Sequence, residues 1–151
     1  MKSKPYPEKQ ENLTLVSEPM SIYLPKSFVK NTVLENLTQN SIELFTKVLK
    51  NTNLTIKTLA ENIFEITPKT FIKYKNNNSK IPSRIAELAI EINILYDLGS
   101  VVFSSADEFN NWLNKENIQF DFKKPANFLN TSTGIHLIYE ELKRIEFGAT
   151  A

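Results

Sequence analysis

Lys69, Thr70, Lys73 and Lys75 stand within seven residues of one another, and their types suit one chemistry. Ammonium and hydroxyl groups at this spacing donate to phosphate oxygens and to the base-edge acceptors of a major groove. Lys69, Thr70 and Lys73 are expected on one helical face. Lys75, Lys80 and Arg84 add charge that positions a polyanion without reading its sequence. An ordinary solvated basic face explains the same residues equally well.

Other chemistry finds little support. There is no cysteine and a single histidine, His136, so disulfides, a Cys/His zinc site, a thiol nucleophile and a two-histidine metal site are excluded. Only three glycines occur, Gly99, Gly134 and Gly148, too few and too scattered for a G-x-G-x-x-G or Walker loop. The carboxylate pairs Asp107-Glu108 and Glu140-Glu141 diverge by about 100° on a helix and have no companion nucleophile. They read as helix-dipole complement and solvated face. His136, among Ile135, Leu137 and Ile138, reads as structural or partly exposed. No catalytic residue, metal ligand or cofactor is expected, and a nucleotide-fold enzyme is disfavoured.

These residues must be held by helices. Ile42, Leu44, Phe45, Val48 and Leu49 recur at helical spacing after Ser41, a candidate N-cap. A second segment runs from Thr55 through Leu59, Ala60, Ile63 and Phe64. A third opens at Thr67-Pro68, where proline suits the first helical position, and ends at the turn-rich Asn76-Asn77-Asn78-Ser79. The second and third resemble a helix-turn-helix. Compared with the common pattern Leu-Ala-x-x-Leu-Gly-Ile-Ser, however, the segment Leu59 to Thr67 has one extra residue and lacks the turn glycine.

Ile85 to Leu98 is apolar over more than one stripe, so that helix needs partners on two sides, one of which suits a two-fold copy of the chain. Gly99 is expected to stop it. Ser104 or Ser105 then caps an acidic turn at Asp107-Glu108, followed by Phe109, Trp112 and Leu113. Short helices are expected near Pro125 to Leu129 and from about Thr131 to Gly148.

Charge is unevenly spread. The whole chain has 18 basic and 17 acidic side chains over 151 residues. Residues 55 to 84 nevertheless carry a balance of +4 and residues 85 to 122 one of −6. One part attracts polyanion and the next repels it. The N-terminal residues lack the apolar core of a secretory signal and no stretch approaches a membrane span, so a soluble, cytoplasmic protein is expected. The first 40 residues, with four of the seven prolines, are expected to form an irregular arm, with strand character at most at Leu13 to Val16.

The last third is the most specific part of the sequence. Phe109-Asn110-Asn111-Trp112-Leu113, Pro125-Ala126-Asn127-Phe128-Leu129-Asn130-Thr131, Gly134, and Glu141-Leu142-Lys143-Arg144-Ile145-Glu146-Phe147-Gly148 fall in order. Together they closely resemble the toxin-binding domain of Xre/MbcA/ParS-like antitoxins. The likeness covers about residues 40 to 151 and is strongest from Phe103 onward. It implies an antitoxin that binds a RES-domain, NAD-depleting toxin and blocks its active-site cleft with the C-terminal end. It also implies an Xre-like helix-turn-helix in front that represses the operon.

Carried onto matching positions, the toxin contacts become Arg144, Glu146, Phe147, Gly148 and the tail Ala149, Thr150 and Ala151. Phe147 stands where tyrosine is common, which leaves an apolar anchor without a phenolic donor. Arg144 and Glu146 point about 200° apart on a helix, so one of them is expected to be structural. For Arg144 the structural alternative is a pair with an acid of residues 85 to 122. Gly148 is expected at the helix stop, releasing the tail.

The resulting expectation is an all-α, non-enzymatic protein of about six helices. It comprises an arm (1–40), a helix-turn-helix and dimerisation region (41–100) and a small helical toxin-binding domain (101–151). Its expected partners are the toxin, operator DNA and a second copy, with no membrane. A stand-alone helix-turn-helix transcriptional regulator without a toxin is the alternative, and an NAD-linked enzyme a weaker one.

Overall fold

A computed structural model of the chain describes residues 41–77 and 79–148. The expected arm, the strand at Leu13 to Val16 and the tail Ala149, Thr150 and Ala151 lie outside the described residues. The fold is all-α. Its elements are α1 (Ser41–Thr52), α2 (Ile56–Thr58) running directly into a π-helical segment (Leu59–Phe64), α3 (Pro68–Asn76), α4 (Ser83–Val102), α5 (Ala106–Leu113), two 3₁₀ turns (Ile118–Phe120 and Pro125–Phe128) and α6 (Ser132–Gly148). Extended pairing among the described residues is confined to one isolated bridge, Asn117 to Lys123.

Local hydrogen bonding places most helix starts. Thr55 accepts the Thr58 N–H and Thr67 accepts the Thr70 N–H, each at 3.1 Å, and Pro68 occupies the first turn of α3. Ser105 accepts the Glu108 N–H at 3.1 Å. Ser41 departs from expectation. It is the first residue of α1, and its buried hydroxyl donates to the Asn77 carbonyl at 2.9 Å. The hydroxyl thus serves the end of α3, where carbonyls lack helical partners.

The extra residue between α2 and α3 is absorbed by the π-helical turn, whose i→i+5 bonds hold one more residue than an α-turn. Leu59, Ala60, Ile63 and Phe64 therefore all stay buried. Glu65 then takes the left-handed conformation, φ 54° and ψ 43°, in place of a glycine. That conformation costs a side-chain-bearing residue roughly 1–2 kcal/mol. Beneath the turn Phe45 packs against Phe64, Phe71 and Tyr74 with ring centroids 5.3, 5.1 and 5.5 Å away.

Helix α4 is the shared element. It packs on α1 along one side and on α5 and α6 along another, so its broad apolar surface is used twice within one chain. Gly99 does not stop it. The helix continues to Val102, and Ser104, with φ 67°, makes the left-handed exit. Gly99 is buried instead beneath Phe109, and a Cβ there would lie 2.4 Å from that ring. Its role is close approach.

Polar groups tie the same elements together. The Tyr96 hydroxyl donates to Asn110 Oδ1 at 2.6 Å, and Asn110 Nδ2 donates to the Asn51 carbonyl at 3.0 Å. Asn93 Nδ2 donates to the Leu44 carbonyl at 3.2 Å. Burial pushes the Glu91 carboxyl above its ordinary range; a hydrogen bond with Ser132 opposes the rise and the nearby Glu87 charge adds to it. Ser132 opens α6, where the helix dipole favours a negative group. No helix among the described residues is long and apolar enough to cross a membrane.

Candidate functional site

Helix α6 has two different sides. The Thr131 hydroxyl accepts the Gly134 N–H at 3.0 Å at its start. Gly134 lets the helix approach the second 3₁₀ turn, because a Cβ there would stand 2.0 Å from the Phe128 carbonyl oxygen. Ile135, Ile138 and Leu142 then face the core. Leu137, Glu140, Arg144 and Phe147 follow at three- and four-residue steps and form the outer stripe. Leu137 is 49% exposed and Phe147 66%.

Ion pairs fix the end of this stripe. Arg144 grips Glu141 with two bonds, Nε to Oε2 at 2.8 Å and a terminal nitrogen to Oε1 at 2.5 Å. The expected alternative partner, an acid from residues 85 to 122, is thereby replaced by a neighbour one turn back on the same helix. The reason is burial. Glu141 is 8% exposed, not the solvated carboxylate expected of the Glu140-Glu141 pair, and a cation offsets its desolvation. Glu146 accepts from Lys143 at 2.6 Å, and the Lys143 ammonium lies 5.1 Å from the centre of the Phe147 ring. That hydrogen bond raises the pKa of Lys143. Gly148 is the last helical residue of α6 and does not have a positive φ, so the expected left-handed stop is absent there.

Beside this stripe lies a groove of about 440 Å³. Phe120, Phe128 and Leu137 give it apolar walls, and Asp121, Glu140, Glu141 and Arg144 give it charged edges. Its far wall belongs to a turn closed by the Asn117–Lys123 bridge. There Asn117 accepts the Gln119 N–H at 2.9 Å. Asp121 and Phe122 are both left-handed, with φ 53° and 60°. The Phe122 ring is 68% exposed and Ile118 67%. Phe103, Phe109, Trp112, Phe120 and Phe128 form a chain of ring contacts behind the turn, with successive centroids 5.4–6.1 Å apart.

Residues 99–148 match the antitoxin Xre/MbcA/ParS C-terminal toxin-binding domain. The matched segment, about a third of the chain, is similar to that toxin-binding domain. No curated protein matches the chain. The toxin-binding domain thus begins inside α4, at the glycine on which Phe109 rests, and contains the whole groove and the outer stripe of α6. A domain of this kind supports an antitoxin role in a toxin–antitoxin system.

The basic candidates lie on α3, outside that domain. Lys69 and Lys73 are exposed and lie about 40° apart around the helix, with the exposed Asn76 on the same side. Thr70 is half-buried, and its hydroxyl is 2.9 Å from that of Thr67. Lys75 points about 200° away from Lys73, so it does not join the Lys69–Lys73 face. Arg84 meets Glu65 at 2.9 Å.

Sequence reasoning passed over Phe122, Ile118 and Leu137. For Phe122 a signal existed. The run Phe120-Asp121-Phe122 places a turn-forming residue between two rings, which cannot both be buried if the chain reverses at Asp121.

Proposed function

We propose that this protein is a non-enzymatic, cytoplasmic antitoxin whose C-terminal domain neutralises a RES-domain toxin that depletes NAD⁺. Phe147, Gly148 and the tail Ala149, Thr150 and Ala151 enter the toxin's active-site cleft, while Arg144 and Glu146 brace the helix that carries them. One observation carries the reading: the toxin-binding match over residues 99–148 ends on a helix whose last ring, Phe147, is exposed. An exposed aromatic side chain at the end of a charge-braced helix is the kind of anchor that dominates protein interfaces.

The same reading assigns α2 and α3 to DNA. With Lys69 and Lys73 outward, α3 supplies phosphate and base-edge donors, and the chain represses its own operon as a homodimer. The half-buried Ile90, Ile94 and Leu98 together with the exposed Val101 give α4 an apolar edge for a second copy. The altered turn at Leu59 to Glu65 bears on the docking angle. A stand-alone regulator would need only this half of the molecule.

Co-expression with the product of the adjacent reading frame tests the proposal. The neighbour alone should arrest growth and drain NAD⁺, and the full chain should rescue growth and co-purify with it. Deleting Phe147 to Ala151 should abolish rescue and leave operator binding intact. A harmless neighbour, or rescue unchanged by the deletion, contradicts the assignment.

A further inference from the structure

The groove beside α6 is not accounted for by cleft occlusion, which needs only the end of the helix. Its lining includes three carboxylates, Asp121, Glu140 and Glu141, against a single guanidinium. Glu141 already engages that guanidinium, which leaves the charge of Asp121 in excess, and that of Glu140 is offset only by a protonated His136 on the preceding turn. Glu140 has His136 Nε2 at 3.9 Å, beyond hydrogen-bond distance. The groove therefore attracts a cation at its edge and apolar groups along Phe120, Phe128 and Leu137.

The wall carrying Asp121 is held at a cost. A left-handed conformation is tolerable for aspartate, whose short polar side chain bonds locally, but it costs a residue such as Phe122 roughly 1–2 kcal/mol. Strain of this kind persists where the surroundings enforce it and concentrates at binding sites. Here it sets Asp121 on the groove edge and turns the next ring, Phe122, out to solvent.

We propose that this groove is a second toxin contact, which receives an arginine side chain of the toxin. Arginine fits better than lysine. Its aliphatic stem covers apolar walls, its plane stacks on aromatic rings, and its fork binds carboxylates bidentately. The half-buried Phe128 ring, backed by Phe120 with centroids 5.4 Å apart, and the exposed Leu137 provide the apolar surface, and Asp121 and Glu140 the acceptors. The inference rests on the antitoxin reading and deepens it. The tail blocks the toxin, and the groove selects which toxin is held.

The test uses the full chain and the toxin encoded beside it, with affinity measured by calorimetry. The double variant Asp121→Asn/Glu140→Gln keeps side chains of the same shape, and asparagine tolerates the left-handed turn. It should bind roughly tenfold more weakly, with a flatter salt dependence and an unchanged melting temperature. Changing the toxin's arginine to alanine should cost a similar factor, and combining both changes should cost little more than either one.

Unchanged affinity and salt dependence in the double variant, with wild-type binding intact, overturn the groove assignment and leave the antitoxin reading standing. So does a variant altered only in self-association, which would make the groove an interface between copies. Failure of the wild-type chain to bind or neutralise the toxin overturns the antitoxin reading, and this inference with it.

Discussion

The outer surface of α3 and that of the toxin-binding domain differ in kind. On α3 the exposed positions are Lys69, Lys73, Asn76 and one apolar residue, Ile72 at 42%, while the rings beneath it, Phe45, Phe64, Phe71 and Tyr74, are all buried. In the C-terminal segment several large apolar side chains are exposed, namely Ile118, Phe122, Leu137 and Phe147, and Glu141–Arg144 and Lys143–Glu146 are paired along the helix that ends at Phe147. Exposed cations suit a polyanion, whose affinity comes from counterion release. Rings held outward by strained or braced backbone suit a protein partner, whose affinity comes from desolvated anchors. The irregularities divide in the same way. The π-turn and Glu65 keep the α2–α3 core buried, whereas Asp121 and Phe122 bring a ring to the surface.

The strongest way to break this contrast is at Gly134. Its missing Cβ leaves room for a backbone oxygen, which cannot swing aside as a side chain can. Gly134→Ala should therefore destabilise the fold by about 2–3 kcal/mol and lower the melting temperature by roughly 10 °C, and toxin binding should suffer more than DNA binding. Equal loss of both would mean that the two surfaces are not independently supported. A smaller effect is expected at the basic face. Lys69→Ala/Lys73→Ala should reduce operator affinity roughly tenfold and lower the salt slope by about 1 per lysine, leaving toxin affinity unchanged. An unaltered gel shift would retire α3 as a DNA reader.

The smallest effect concerns Glu91, between the two regions. Its folded pKa is raised, so the folded state holds its proton more tightly than the unfolded chain does. By linkage, stability falls as pH rises from the ordinary carboxylate value through the raised one, and the loss persists above it. Glu91→Gln should thus raise the melting temperature at neutral pH, and the gain should shrink on acidification through that window. A gain that grows on acidification would contradict this sign.

Features built from neighbours in sequence were legible in advance. The caps at Thr67 and Ser105 each bond an N–H three residues on, and the apolar spacing of α1, α4 and α6 marks their buried sides. Features that depend on distant contacts were not. Gly99 has the look of a helix stop until Phe109 is seen lying on it, and the exit falls to Ser104. Ser41 has the look of a cap until Asn77 arrives to take its hydroxyl. Arg144 had a suitable acid one turn back, but only the burial of Glu141 makes that pairing compelling. In the toxin-binding domain the ordered motifs were visible, yet the groove was not. Its walls come from a turn and a helix separated in sequence, and the turn depends on a phenylalanine in a conformation that its residue type does not favour.

The passage of α4 through both halves of the molecule has a consequence for exchanging parts between related proteins. A transplanted C-terminal segment joined after Ser104 inherits a helix whose last turns already contain a bare patch at Gly99. The incoming piece must bring a flat ring to lie there. A donor lacking one would leave a void where Phe109 sits, and a recipient with any larger residue in place of that glycine would hold the graft off its seat. Compatibility between halves is thus written in one glycine and one ring.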